Sequence, residues 1–147
     1  MRKALVVGGA SGIGLAIATQ LAAREDYAAI HIVDRAQVPE DMVHEKFECH
    51  LFDLTSHDYG FFDRFMDIDT LMITAGFGHL ALFKDLSEDY IINMMNVNAT
   101  AVMRIIRRFY NRIASSDEFY CGVMVSITGF IRYSSTLYKA RYLQILI

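Results

Sequence analysis

The run Gly8-Gly9-Ala10-Ser11-Gly12-Ile13-Gly14 is the part of this 147-residue chain whose composition and spacing point most directly to chemistry. An apolar strand over residues 4–7 leads into it, and a helix over 12–24 is predicted to begin inside it, with Ile13, Ala16, Ile17 and Leu21 near helical spacing. Glycine lets a backbone turn sharply and lie close to a diphosphate. A helix amino terminus adds unpaired N–H groups and the positive end of the helix dipole. A second apolar strand over 28–33 ends at Asp34. That acid falls about 20 residues beyond the last glycine, where a carboxylate can hold the ribose hydroxyls of a dinucleotide. Strand, turn, helix, strand and acid occur in the order such a site needs. A glycine-rich turn that merely packs does not require the acid.

Other reactive side chains offer less. His31, His44, His50, His57 and His79 show no paired ligand spacing with one another or with Cys49 and Cys121, so no metal is expected. Each cysteine sits in an apolar stretch, which predicts buried free thiols and a reducing, cytoplasmic setting. Phe61, Phe62 and Phe65 read as core. Arg104, Arg107, Arg108 and Arg112 gather late in a long helix, where they oppose its dipole and predict a solvated face.

The elements that must position these groups alternate. Further strands are expected over 46–51, 70–74 and 120–127, and helices over 56–66 and 88–113, the second capped by Ser87. Continuous apolar strands alternating with helices imply an α/β fold, a doubly wound parallel sheet covered on both faces in three layers. Ligands then bind at the carboxyl ends of the strands where the strand order reverses. No repeat or linker divides the chain, so residues 1–147 read as a single domain. Hydrophobic residues make up 54%, charged residues 21%, and the formal net charge is −3, a globular balance without a basic nucleic-acid surface. The opening apolar run is too short for a secretory signal, and no stretch approaches the roughly 18 apolar residues of a membrane span. The expected partner is a small molecule, with neither nucleic acid nor membrane involved. Proline occurs once, at Pro39, which predicts few loops.

The spacing Gly-x-x-x-Gly-x-Gly, with Ser11 and Ile13 between the glycines, resembles the short-chain dehydrogenase/reductase family. Val7-Gly8-Gly9 departs slightly, since the family usually places threonine at the start of the motif. Asp53-Leu54 looks like the family's acid after the third strand, which contacts adenine. Thr74-Ala75-Gly76 looks like its Asn-Ala-Gly signature, with Thr74 replacing asparagine, and Asn96-Val97-Asn98 resembles the helix segment carrying its catalytic asparagine, at Asn98. The resemblance implies a Rossmann-like sheet of order 3-2-1-4-5. It also implies a nicotinamide cofactor held by Gly8, Ser11, Gly12, Ile13, Gly14, Asp34, Arg35, Asp53, Leu54, Ala75 and Gly76. Asp34 should chelate both ribose hydroxyls and repel a 2′-phosphate, and Ser11 is not basic, so NAD is expected over NADP. Arg35 pulls the other way.

Beyond residue 125 the family pattern gives a strand, a catalytic serine, then Tyr-x-x-x-Lys on a helix. The tyrosine exchanges the proton of the substrate oxygen, and the lysine lowers its pKa. Here Ser126 and Thr128 compete for the hydroxyl, and Tyr138 directly precedes Lys139. Helical neighbours point about 100° apart, so this pair cannot share a face as residues four apart do. The family's last strands and substrate loop have no counterpart before Ile147, as in a C-terminally truncated member. The resemblance implies an oxidoreductase moving hydride between a nicotinamide and a small alcohol or ketone. The alternatives are a cofactor-binding domain with impaired catalysis, such as a redox sensor or remnant, and an epimerase or dehydratase on the same fold. Ile91, Ile92, Met94, Met95, Val97, Val102, Met103, Ile105, Ile106 and Phe109 cover more than one face of the long helix, which predicts a homodimer or homotetramer.

Overall fold

The computed structural model describes residues 1–78 and 83–125. Five strands, β1 (Arg2–Val7), β2 (Tyr27–Asp34), β3 (Phe47–Leu51), β4 (Thr70–Ile73) and β5 (Tyr120–Val123), form one sheet in the order β3-β2-β1-β4-β5. Every neighbouring pair is parallel. This is the doubly wound Rossmann-like order, with its reversal between β1 and β4. β1 is central, and Ala4, Leu5, Val6 and Val7 are all buried, which is why that strand reads as unbroken apolar sequence.

Alternation along the strands sorts the core into two layers. Ala4, Val6, Ile30 and Ile32 face helix α1 (Gly12–Ala22), which contributes Leu15, Ala18 and Ala22. Leu5, Val7, Val33, Leu71 and Ile73 face the other way, onto Tyr59, Phe62, Phe65, Ile105 and Phe109. Between strand edges, the Tyr27 hydroxyl lies 2.7 Å from that of Thr70 in the interior.

Four expectations need correction. The helix expected over 56–66 is a 3-10 segment, Tyr59–Phe65, whose start is capped by the Asp58 carboxylate accepting from the Gly60 amide at 2.8 Å. Its three-residue repeat stacks Tyr59, Phe62 and Phe65 directly above one another on one buried face, where an α-helix would spread them over about 120°. The helix expected over 88–113 is α2 (Glu88–Met95), a π turn (Asn96–Thr100) and α3 (Ala101–Ser115) in succession. β5 ends at Val123 rather than reaching 127. Cys49 is exposed and Cys121 half-buried. Cys49 lies on the β3 edge, on the face that α1 covers only over β1 and β2.

The arginines are also less free than a solvated face implies. Arg104 donates to the Ser56 and His57 carbonyls at 3.0 and 2.6 Å and lies 3.6 Å over the Tyr59 ring. Arg108 pairs with Asp63, and Arg112 donates to the Ile68 carbonyl at 2.8 Å. Together they fasten α3 to the segment that includes the 3-10 turn. Among the described residues, no helix is long and apolar enough to cross a membrane.

Candidate functional site

At the carboxyl ends of β1, β2 and β4 the chain opens a cleft of about 600 Å³. Its floor is the glycine turn. Gly8 has φ +85°, and a Cβ there would run into the Ala75 backbone. A Cβ on Gly14 would overlap the Gly8 carbonyl and the Thr74 hydroxyl. The first turn of α1 therefore lies hard against the ends of β1 and β4. The Thr74 hydroxyl sits 3.1 Å from both the Val7 and Gly8 carbonyls, and the Thr74 and Ala75 amides donate to Val7 at 2.8 and 3.0 Å. Ser11 precedes α1 in extended conformation, its side chain makes no capping bond, and the first turn holds no acid. The positive end of α1 is thus left to the cleft's occupant.

Asp34 is fixed at the end of β2. Its two carboxylate oxygens accept from the Ala10 amide at 3.0 Å and the Ala36 amide at 3.1 Å, and each keeps lone pairs for a ligand. Arg35 beside it is exposed. After β3, Asp53 accepts from both the amide and the hydroxyl of Thr55 at 2.8 Å. Those bonds, with a smaller contribution from the charge of Arg35, hold its carboxyl below the usual carboxylate range. Phe52 stacks on Phe61 with centroids 4.5 Å apart, and Tyr59 donates to the Leu54 carbonyl at 2.8 Å.

All eleven residues that the sequence nominated for a dinucleotide line this one cleft. Val33, Phe52, Thr55, Thr74, Phe77, Asn93, Val97 and Met124 line it too. Thr74 was legible as the residue before Ala75-Gly76. Val97 lies within the Asn96-Val97-Asn98 segment, and the others carry no motif and reach the cleft only through the fold.

Asn98 sits in the π turn, behind the cleft wall. Its Oδ1 accepts from the Phe77 amide at 3.0 Å and its Nδ2 donates to the Phe77 carbonyl at 2.7 Å. The side chain thus clamps the segment leaving β4 to the long helix. A π turn, with one extra residue, lets it turn toward that segment, and such turns are frequent at functional sites. Ser126, Thr128, Tyr138 and Lys139 lie outside the described residues.

The short chain dehydrogenase family model matches residues 2–136. The chain belongs to that family. No curated protein gives a significant match. Solved structures with the same fold include a bulky-bulky ketone specific alcohol dehydrogenase from Comamonas testosteroni, 23% identical with TM-score 0.77, covering 88% of this chain and 57% of that one. A serine dehydrogenase from Escherichia coli is 15% identical, with TM-score 0.74, covering 90% of this chain and 65% of that one. An alcohol dehydrogenase from Thermococcus sibiricus, in complex with 5-hydroxy-NADP, is 27% identical with TM-score 0.62, covering 76% of this chain and 52% of that one. The chain thus spans about half to just under two thirds of the length of these structures. The family implies a nicotinamide cofactor, and the glycine cradle, the uncapped helix end and the fixed Asp34 fit one.

Proposed function

We propose that the cleft binds a nicotinamide dinucleotide and that the protein is an oxidoreductase of the short-chain type acting on a small alcohol or ketone. The observation that carries this reading is the convergence of the glycine turn, Asp34, Asp53 and Ala75-Gly76 on one cleft at the amino end of α1. When bound, the dinucleotide supplies hydride-transfer chemistry. The turn amides and α1 would hold its diphosphate, Asp34 the adenosine ribose, and Asp53 and Leu54 the adenine. Asp34 favours NAD, because a 2′-phosphate would face its carboxylate. Arg35 and the NADP analogue in the Thermococcus sibiricus protein make NADP the rival. Titration with both cofactors tests this. NAD(H) should bind more tightly and Asp34→Ala should narrow the gap, whereas tighter NADP(H) binding by the unmodified chain overturns the preference.

A second reading rests on the adjacency of Tyr138 and Lys139: the 147-residue chain binds cofactor far better than it turns over substrate. A proton donor misplaced by about 1 Å can cost roughly a hundredfold in rate. Inserting three residues between the pair should then raise activity. Turnover of a simple alcohol by the unmodified chain at roughly 1–1000 per second rejects it.

We also infer self-association through the long helix. Its inner side buries Met94, Ala101, Ile105 and Phe109, while Ile92, Met95, Met103 and Tyr110 are exposed on the outside. A second copy is the natural cover for these exposed apolar side chains, which alternate with Arg107, Arg108 and Asn111. A monomer by sedimentation at micromolar concentration counts against it.

A further inference from the structure

The histidines, unpromising by spacing, are brought together by strand pairing. The β2–β3 register sets His31 opposite Glu48 and Val33 opposite His50, so His31, Glu48 and His50 share one face of the sheet. One ligand-capable atom from each lies within 4.8 Å of the other two, and His31 Nδ1 approaches Glu48 Oε2 to 3.2 Å. Sequence spacing could not show this, because His31 lies on one side of a crossover connection and Glu48 and His50 on the other.

Three observations set this group apart from ordinary packing. First, His31 Nδ1 and His50 Nε2 are both sealed from solvent, and neither makes a hydrogen bond. A buried polar atom left unsatisfied costs about 1–3 kcal/mol, so the orphaned His50 Nε2, beside a His31 Nδ1 that faces the Glu48 carboxylate without hydrogen-bond geometry, calls for a reason. Second, the rings are held in place. The Phe65 ring lies 5.1 Å from that of His31 and 5.0 Å from that of His50, and the two imidazoles are 5.6 Å apart. Third, the group is closed on the protein side and open on the other, since the Glu48 side chain is 56% exposed while that of His31 is 12% exposed.

We propose that His31, His50 and Glu48 form a binding site for a divalent transition-metal ion, best suited to zinc, on the aromatic face of the sheet at the β2–β3 edge. Two imidazoles and a carboxylate match zinc and its neighbours, whereas magnesium and calcium take oxygen ligands. Zinc–ligand distances of about 2.0–2.2 Å place tetrahedral ligands roughly 3.4 Å apart. The His31–Glu48 separation already suits this. The other separations, at most 4.8 Å, would have to shorten by rotation of the exposed Glu48 side chain and a small shift of the His50 ring, and solvent can take the fourth position. Nearby Lys3 does not oppose the ion unaided, because its ammonium is paired with Asp67. A bound ion would cross-link β3 to β2 next to Asp34 and Phe52, and so would stiffen the adenosine end of the cleft. The site stands independently of the cofactor reading.

The test is zinc titration of the full chain after chelator treatment, followed by calorimetry and by the visible spectrum of the cobalt-loaded protein. The expected result is one ion per chain at micromolar affinity or tighter, a tetrahedral cobalt spectrum, and a rise in melting temperature that chelator reverses. His50→Ala and Glu48→Gln should each weaken binding at least about tenfold, and His44→Ala should leave it unchanged. His50→Gln, close to the imidazole in size, serves if the alanine variant does not fold. Absence of stoichiometric binding overturns the proposal. So does binding that is indifferent to His31→Gln and His50→Gln but is lost in His44→Ala or Cys49→Ser.

Discussion

The two faces of the sheet are packed by opposite means. On the α1 face the core is mostly small and aliphatic, with Ala4, Ala10, Ala18, Ala22, Leu15, Ile30 and Ile32 beside the ring of Tyr27, and the helix lies so close that a Cβ on Gly14 would overlap the Gly8 carbonyl. On the other face large rings join the aliphatic strand residues, with Tyr59, Phe62, Phe65 and Phe109 filling the space beneath a 3-10 turn and α3. The first face has no space to give, because the turn between β1 and α1 must bring backbone amides to a diphosphate. The second has no such duty. Its rings pack along a 3-10 turn and sit beside the His31 and His50 imidazoles on the same face. Closeness on one side and bulk on the other are thus set by what each face has to hold.

The largest effect should come from the ring face. Phe62 is fully buried among Phe52, Tyr59, Phe61 and Phe65. Phe62→Ala should cost about 3–5 kcal/mol by denaturant unfolding. The fraction that stays folded should bind dinucleotide nearly as well as the unmodified chain. A large loss of affinity at preserved stability would show that the two faces do not divide the work as described.

Gly14→Ala probes the α1 face with a single methyl. The added carbon has no room between the Gly8 carbonyl and the Thr74 hydroxyl. Overpacking of this kind costs about 1–3 kcal/mol. Because the displaced backbone is the cradle itself, dinucleotide affinity should fall as well, by tenfold or more, in the calorimetric titration that defines the cofactor. The two variants should therefore rank in one order for stability and in the opposite order for binding.

How well the sequence could be read follows the same division. The α1 face is governed by local rules: a strand, a glycine spacing and an acid at fixed distance, all within residues 4–34. Sheet order and every proposed cofactor contact followed from those rules and the family resemblance. The ring face depends on contacts between distant segments. Aromatic spacing at 59, 62 and 65 suits both a 3-10 and an α-helical reading until the sheet beneath is known, so the sequence by itself reads as a helix there. The grouping of His31 with Glu48 and His50 exists only through the β2–β3 register. Asparagine is a poor helix former, and Asn96 and Asn98, which the family resemblance singled out, fall in the π turn between α2 and α3 rather than in regular helix.

Asn98 ties the two faces together, since it clamps Phe77 at the cleft to the helix that covers the rings. Asn98→Ala removes both bonds to the Phe77 backbone. At about 0.5–1.5 kcal/mol for each hydrogen bond, the loss should be about 1–3 kcal/mol. Asn98→Asp keeps an acceptor for the Phe77 amide but sets an oxygen against its carbonyl, so it should not restore stability. Recovery by aspartate to the unmodified melting temperature would mean that only one of the two bonds matters.

The smallest effect concerns Asp53, at the exposed rim after β3. Thr55, through its amide and then its hydroxyl, holds this carboxyl below its ordinary value. For a depressed carboxylate pKa the stabilisation is present above the unfolded value, near 3.8, and is lost as pH falls through the lower folded value. Stability should therefore decline below about pH 4 in part because Asp53 takes up a proton and weakens its hold on Thr55. Solvent reaches this group, so the share should be only about 0.5 kcal/mol, the low end for a hydrogen bond. Asp53→Ala should flatten the acid limb of the stability curve by that amount and leave the neutral-pH slope unaltered. Asp53→Asn retains an acceptor that cannot ionise, and it should flatten the same limb while keeping most of the stability at pH 7. If both variants keep the original acid limb, the loop after β3 is not held by this carboxylate, and the adenine end of the cleft takes its shape from the Phe52–Phe61 stack instead.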